Sequence, residues 1–364
     1  MKFKSIFPII LTAVTLVPVS AQTTQKLTAN KLREYGLEYV LPQTRLNVTL
    51  AARKTVSEPG EFALYAKKYL HIDPILKPST SWELVDAELQ SDAVADDSER
   101  WLVQFKSGST PFIIVTEQGF PVSVNDESYK PDPVARPTLR SVAAEPTALE
   151  LPAAREAMTE EMLRSNSSAK RAELAAARIY EIRQQRSDII SGQADAMPAD
   201  GQAMKLVLDA LSQQEAALTA MFVGTKKTST EVITVSVDPP MGDDATRFVV
   251  ARLSATDGLV GADDLSGQPI YIEFTDIATS ELPVNEKGET KTFPKGGLAY
   301  RIPGEATAIV SFDGRELAKE RFSVAQYGVV FGLEPALFTD KKAPAYLRFN
   351  PLSGSVRELG TLAQ

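Results

Sequence analysis

Residues 169–190 read AKRAELAAARIYEIRQQRSDII, and residues 201–224 read GQAMKLVLDALSQQEAALTAMFVG. The first stretch is rich in Ala, Glu and Arg, which favour helix. Ala175, Ile179, Ile182, Arg186 and Ile189 alternate spacings of four and three, which places them along one helical face. Met204, Leu208, Leu211, Glu215, Leu218 and Phe222 repeat that spacing. Gly192 and the run Ala194 to Pro198 break the first helix, the second starts near Asp200-Gly201, and Gly224 ends it. Two helices joined so closely must fold back on each other. A loop symmetric between Gly192 and Gly201 sets Ile189 against Met204, Ile182 against Leu211 and Arg178 against Glu215. This hairpin, residues 153–225, interrupts a chain that otherwise reads as strands, and that contrast decides the fold class: α+β, with two β-rich domains (sandwich or partly open barrel) and an antiparallel helical hairpin between them.

Working outward, residues 22–125 form the expected N-terminal β-rich domain. Leu46, Val48 and Leu50 alternate with Asn47 and Thr49, and Trp101, Val103 and Phe105 repeat the period of two. One helix interrupts it: Phe62, Tyr65, Ala66, Tyr69 and Leu70 share a helical face expected to pack on the sheet, and His71 falls where that helix ends. Residues 126–152 carry Pro131, Pro133, Pro137, Pro146 and Pro152 and read as an extended linker. Residues 226–364 form the C-terminal β-rich domain. Ile233, Val235 and Val237 share one face, as do Ile270, Ile272 and Phe274, and further strands fall at Phe248–Leu253, Leu298–Ile302, Thr307–Phe312, Gln326–Phe331 and Tyr346–Phe349. Asp313-Gly314 is a tight-turn signal. The two β regions echo each other: Tyr39-Val40-Leu41-Pro42 and Tyr300-Arg301-Ile302-Pro303 each enter strands, and Gly119 and Gly354 each precede a closing strand.

Residues 1–21 read as a cleaved secretory signal. Lys2 and Lys4 precede an apolar run from Ile6 to Val19, and Val19-Ser20-Ala21 offers small residues for cleavage before Gln22. No Cys follows, so a lipid anchor on that residue is excluded. The expectation is an exported, soluble protein, periplasmic or secreted, with no membrane insertion after signal cleavage.

Removing that signal leaves 37 basic and 47 acidic residues in 343, a net charge of −10. Such a balance opposes nucleic acid and anionic membranes as partners. With no cysteine, thiol nucleophiles, thiolate metal sites and disulfides are excluded. His71 is the only histidine, so a multi-histidine zinc site cannot form, and its place at a helix end favours a capping role. Gly258-Leu259-Val260-Gly261 lacks the ending of a phosphate loop. Asp257, Asp263 and Asp264, Asp243-Asp244, and the trio Asp96, Asp97 and Glu99 could offer oxygens to calcium, but turn chemistry explains them better. No catalytic, cofactor-binding or metal residue is therefore singled out, and no cofactor is expected.

Several separated motifs resemble one family. They are Tyr39 to Pro42, Ile179-Tyr180-Glu181-Ile182-Arg183 with Pro198-Ala199-Asp200-Gly201, Leu265 to Tyr271, Tyr300 to Pro303, and Ala325-Gln326-Tyr327-Gly328. Together they resemble an uncharacterised Bacteroidetes family of exported proteins known as a domain of unknown function. The resemblance implies export and a shared architecture, and supplies no activity or site residues. The functional expectation is an envelope or secreted protein that binds protein or glycan without catalysis. The alternative is a carboxylate-dependent glycoside hydrolase acting on polysaccharide.

Overall fold

A computed structural model describes residues 22–26, 36–105, 112–197, 201–338 and 345–361. The stretch read as a signal lies outside the described residues. In chain order come β1 (Gln22–Lys26), β2 (Leu37–Glu58), α1 (Ala66–Leu70), β3 (Ser79–Phe105), β4 (Ile113–Val115) and β5 (Pro121–Val124). Then come α2 (Ala153–Glu156), α3 (Glu160–Arg164), α4 (Ser168–Ser191) and α5 (Gln202–Val223). The chain returns to strands with β6 (Thr225–Val237), β7 (Arg247–Ser254), β8 (Gly258–Gly261) and β9 (Gly267–Ala278). It closes with β10 (Leu298–Phe312), β11 (Arg315–Leu333), β12 (Ala345–Asn350) and β13 (Ser355–Thr361). The result is a mostly β, α+β fold, as the sequence pattern implies.

Among the described residues three sheets form, with orders β1-β3-β2-β6, β11-β10-β9-β7-β8 and β13-β12-β5-β4. All their pairings are antiparallel. The first and third sheets draw strands from both sides of the helical hairpin. β2 pairs with β6 from Leu46↔Val237 to Glu58↔Thr225, and β5 pairs with β12 at Leu347↔Val124. Strands before and after the helices therefore share hydrogen-bonded sheets.

The period-2 residues meet between the first two sheets. Leu46, Val48 and Leu50 of β2 join Leu84 and Leu89 of β3, Ile270, Ile272 and Phe274 of β9, and Val310 of β10 in one buried cluster. Asp313 and Gly314 take φ of 47° and 73°, the mirror-image turn a two-residue hairpin needs, and reverse β10 into β11. The hairpin β4–β5, turning at Gly119, lies beside the hairpin β12–β13, turning at Gly354, so the echoed Gly turns belong to neighbouring pieces of one sheet. The Pro-rich stretch 126–152 is a strap laid on these sheets. Val142 bridges Thr230 of β6, Thr138 and Leu139 donate to the Glu88 carboxylate, Asp132 pairs with Arg357, and Glu150 pairs with Lys227.

Helices α4 and α5 form the expected hairpin, with Ile182 and Leu211 in one cluster, but Arg178 is not the partner of Glu215. Arg178 pairs within its own helix with Glu181, and Glu215 instead accepts from Arg183 at 2.7 Å and Arg186 at 2.5 Å. The partners of Glu215 thus lie five and eight residues further along α4 than Arg178. Leu206, which is not a seam position, is 70% exposed, whereas Ala217, Leu218, Met221 and Phe222 are buried. Burial pushes the Glu215 carboxyl up, but the two guanidiniums outweigh it and hold the group below its ordinary value.

The helical face Phe62, Ala66 and Leu70 is buried as expected, but against the hairpin and not against a sheet. Phe62 meets Phe222 at 5.4 Å between ring centroids, and its N–H donates to the Met221 carbonyl at 2.7 Å. Periodicity fixed the face and left its partner open. His71 is exposed and caps α1 in the left-handed conformation, φ 56°.

The hairpin meets the sheet at Gly224. Its φ is 92° and ψ −175°, a region in effect reserved for glycine, and a Cβ there would stand 2.3 Å from the Glu58 carbonyl oxygen. Gly224→Ala is expected to cost about 1–3 kcal/mol, a typical penalty for such backbone strain. Urea unfolding reads this directly, and a midpoint equal to that of the natural protein would contradict the assigned geometry.

Candidate functional site

Two β-strands from opposite ends of the chain meet through buried polar groups. The Tyr39 hydroxyl donates to the Ala299 carbonyl at 3.1 Å and accepts the Ala299 N–H at 2.9 Å, with the ring only 1% exposed. Burial raises this hydroxyl far above the ordinary tyrosine range, so it stays protonated. Thr44 and Gln326 exchange two bonds, Thr44 N–H to Oε1 at 2.9 Å and Nε2–H to the Thr44 carbonyl at 2.8 Å. The Thr44 hydroxyl oxygen also accepts from the Ala325 N–H at 2.9 Å.

Arg301 of β10 completes the seam by pairing with Asp96 of β3 and donating to the Ala325 carbonyl. Both charged groups are buried, Arg301 at 5% and Asp96 at 6% exposure. Burial alone pushes the Asp96 carboxyl up. Donors from Ser98 and Gln43 together with the Arg301 charge overcome that push and hold it below its ordinary value of 3.8. The Arg301 Nε has no protein partner among the described residues.

The seam gathers three of the separated motifs; Ile179 to Arg183 lies on α4, Gly267 to Tyr271 on β9, and Pro198 to Asp200 outside the described residues. Tyr39 to Pro42 lies on β2, Tyr300 to Pro303 on β10, and Ala325 to Gly328 on β11. Both prolines stand at β-bulges, since β2 slips against β3 between Val40 and Pro42, and β10 slips against β11 between Ile302 and Gly304. Gly328 packs so tightly that a Cβ would fall 1.8 Å from the Ile302 carbonyl oxygen. Asp96, expected on a surface turn with Asp97 and Glu99, is placed differently: these residues swell β3 opposite Leu41, where Val40 pairs Arg100 and Pro42 pairs Ala95. That bulge turns Asp96 inward.

Five of the other acidic candidates serve local turns or surface pairs. Asp257 accepts from the Ser254 and Thr256 hydroxyls, Asp264 from the Ser266 N–H, and Asp244 from the Met241 N–H. Asp97 pairs with Arg100 and Glu99 with Lys26. Among the described residues no group of three or more metal-ligating side chains gathers.

Beside the seam, residues 283–294 fold into a flap. Val284 bridges Thr290, the Lys291 N–H donates to the Pro283 carbonyl at 2.7 Å, and Asn285 Oδ1 accepts from the Lys287 and Glu289 N–H groups. Phe293 anchors it, stacked on Trp101 at 5.4 Å with planes 5° apart and set edge-on to Phe331 at 6.1 Å. Gly332 lies beneath that ring, where a Cβ would come within 2.8 Å of it.

A hollow of about 630 Å³ opens between the flap and the ends of β10 and β11, with Tyr300, Phe331 and Leu337 contributing apolar surface. Thr290, Lys291, Thr292, Tyr300 and Glu334 also line it. Their side chains make no hydrogen bond or ion pair within the described residues. Tyr300 is half-buried, and burial raises its hydroxyl pKa. Such an arrangement can bind through uncommitted polar groups set over an apolar floor. Two smaller hollows flank the second sheet, one of about 360 Å³ beside Tyr327 and Met241, and one of about 320 Å³ where Arg247 stacks 4.4 Å over Tyr271. Sequence reasoning missed the large hollow. Its only signal is the bracket of Pro283 and Pro294 around a polar loop.

Facing antiparallel sheets, locked by a buried ion pair and joined to a helical hairpin, define a mostly β, α+β protein. The chain belongs to the family described as Domain of unknown function (DUF4831), whose model matches residues 35–357. No curated protein and no solved structure matches it.

Removing one partner of a buried ion pair typically costs about 3–5 kcal/mol, because the other charge stays buried and unpaired. Asp96→Asn is expected to lose that order of stability at neutral pH. The folded carboxyl sits below its unfolded value, so its contribution is present above pH 3.8 and fades as pH falls through the folded value. The gap between natural protein and variant should therefore narrow in acid. Denaturant unfolding at pH 7 and in acid measures it, and an equal gap at both would contradict the assignment.

Proposed function

We propose that this is an exported cell-envelope or secreted protein, soluble after signal cleavage, that binds a macromolecule, protein or glycan, without transforming it. The observation that carries the reading is the hollow under the 283–294 flap, where uncommitted polar side chains surround an apolar floor. Export rests on the Lys2 to Ala21 pattern, and a Bacteroidetes origin on the motif resemblance. The net negative charge favours neither nucleic acid nor anionic lipid as partner.

The state of the charges supports binding over catalysis. Among the described residues the carboxyls displaced from their ordinary range are Glu88, Asp96, Asp126, Glu150, Glu215, Asp264 and Glu358, and every one is displaced downward. A glycosidase acid needs the opposite shift, to hold its proton near neutral pH. The buried charges Asp96, Asp126 and Arg301 are all spent on internal pairs.

One observation favours the hydrolase as a second reading: Glu289 and Glu334 line the same hollow as Tyr300. Reducing-end release from a panel of polysaccharides separates the two. The binding reading expects no release, and release abolished by Glu334→Gln would replace it with the hydrolase. For export, mass spectrometry of the protein from its native cells is expected to find a mature start at Gln22 in the envelope or medium. An intact Met1 start in the cytoplasmic fraction would contradict export.

A further inference from the structure

We infer that the hollow under the 283–294 flap takes a neutral, hydroxyl-rich sugar segment. This rests on the binding reading above and narrows its partner. The lining carries both signs, Lys291 against Glu289 and Glu334, so no single-signed field is available for a polyanion or polycation. What the hollow offers in quantity is hydrogen bonding that the fold leaves unused. Lys291 can only donate, the Glu334 carboxylate can only accept, and the Thr290, Thr292 and Tyr300 hydroxyls can do either. Sugar hydroxyls are donors and acceptors at once, and closely spaced pairs of them match such a mixed set.

Tyr300 is the sharpest element. Its ring packs against the buried cluster of Tyr39, Trp101 and Leu347, and its hydroxyl has no protein partner among the described residues. A partly buried hydroxyl left without a partner must be satisfied by water or by ligand. The exposed Leu337 beside it suits the C–H face of a pyranose ring, whereas Phe331 is covered by Phe293. A peptide strand would instead seek a row of outward backbone groups, yet the flap spends the Lys291 N–H on Pro283 and the Asn285 N–H on Glu289. About 630 Å³ falls within the usual range for small-ligand pockets, enough for a few sugar rings and not for a folded domain.

The test uses the chain from Gln22 onward in affinity gel electrophoresis. Neutral polysaccharides (a glucan, a mannan and a xylan), polygalacturonate, and immobilised random peptides serve as probes. Retardation by at least one neutral polysaccharide is expected. Tyr300→Phe, and separately Lys291→Ala with Glu334→Gln, should weaken it about tenfold, the scale of one lost hydrogen bond to a ligand. Lys291 and Glu334 are exposed, so that variant should keep the natural unfolding midpoint. Retention by a neutral glycan that neither variant weakens would overturn the site. Retention only by polygalacturonate or only by peptide would overturn the sugar class while the binding reading stands. Retention by none of the probes would remove both.

Discussion

The salt bridge between Arg301 and Asp96 is the constraint around which the molecule is arranged. It joins a strand from the first third of the chain to one from the last third, and both charges lie out of water. Hydrophobic burial between the sheets supplies most of the driving force. A buried pair adds little net energy, because desolvation consumes most of the attraction. What it adds is alignment. A slip of β3 against β10 would leave a guanidinium and a carboxylate unpaired in the interior. Tyr39 with Ala299, and Thr44 with Gln326, act in the same direction.

Seen from this seam, three of the separated sequence motifs have a common task. The Tyr39 to Pro42 and Tyr300 to Pro303 stretches are bulged strands meeting through buried polar groups, and Gly328 permits the close approach of β11 to β10. These residues hold the strands beside which the flap lies, and Tyr300 also lines the hollow. Phe293 rests on Trp101 of β3 and Phe331 of β11, so the flap is held by both sheets that the seam aligns. The hollow thus depends on the ion pair at one remove.

Much of the local structure was legible from residue pattern. Leu46, Val48 and Leu50, and Ile270, Ile272 and Phe274, alternate because one side of each strand meets the core, and all six are buried. The helical seam Ala175, Ile179, Ile182 was equally plain. Pairing was not legible. Nothing in the residues of β6 says that β2, far away in sequence, is its neighbour, since an alternating strand can sit beside any other. The face of Phe62, Ala66 and Leu70 likewise carries no mark of whether a sheet or a helix covers it. Asp96 was hidden for a different reason. An acidic trio reads as solvated surface, and only the bulge opposite Leu41 turns one of its members inward. The hollow under the flap was hidden because its side chains come from the flap, β10, the end of β11 and the residues just after it, and each is unremarkable in its own stretch.

Native-state hydrogen exchange across the whole chain tests the central claim most directly, that strands from both sides of the helical hairpin make one interlocked body. The account predicts that the slowest amides of β2, β6, β10 and β11 exchange with a common free energy, equal to that of global unfolding. Exchange of β2 and β3 as one unit and of β9 to β11 as a second, separable unit would contradict it.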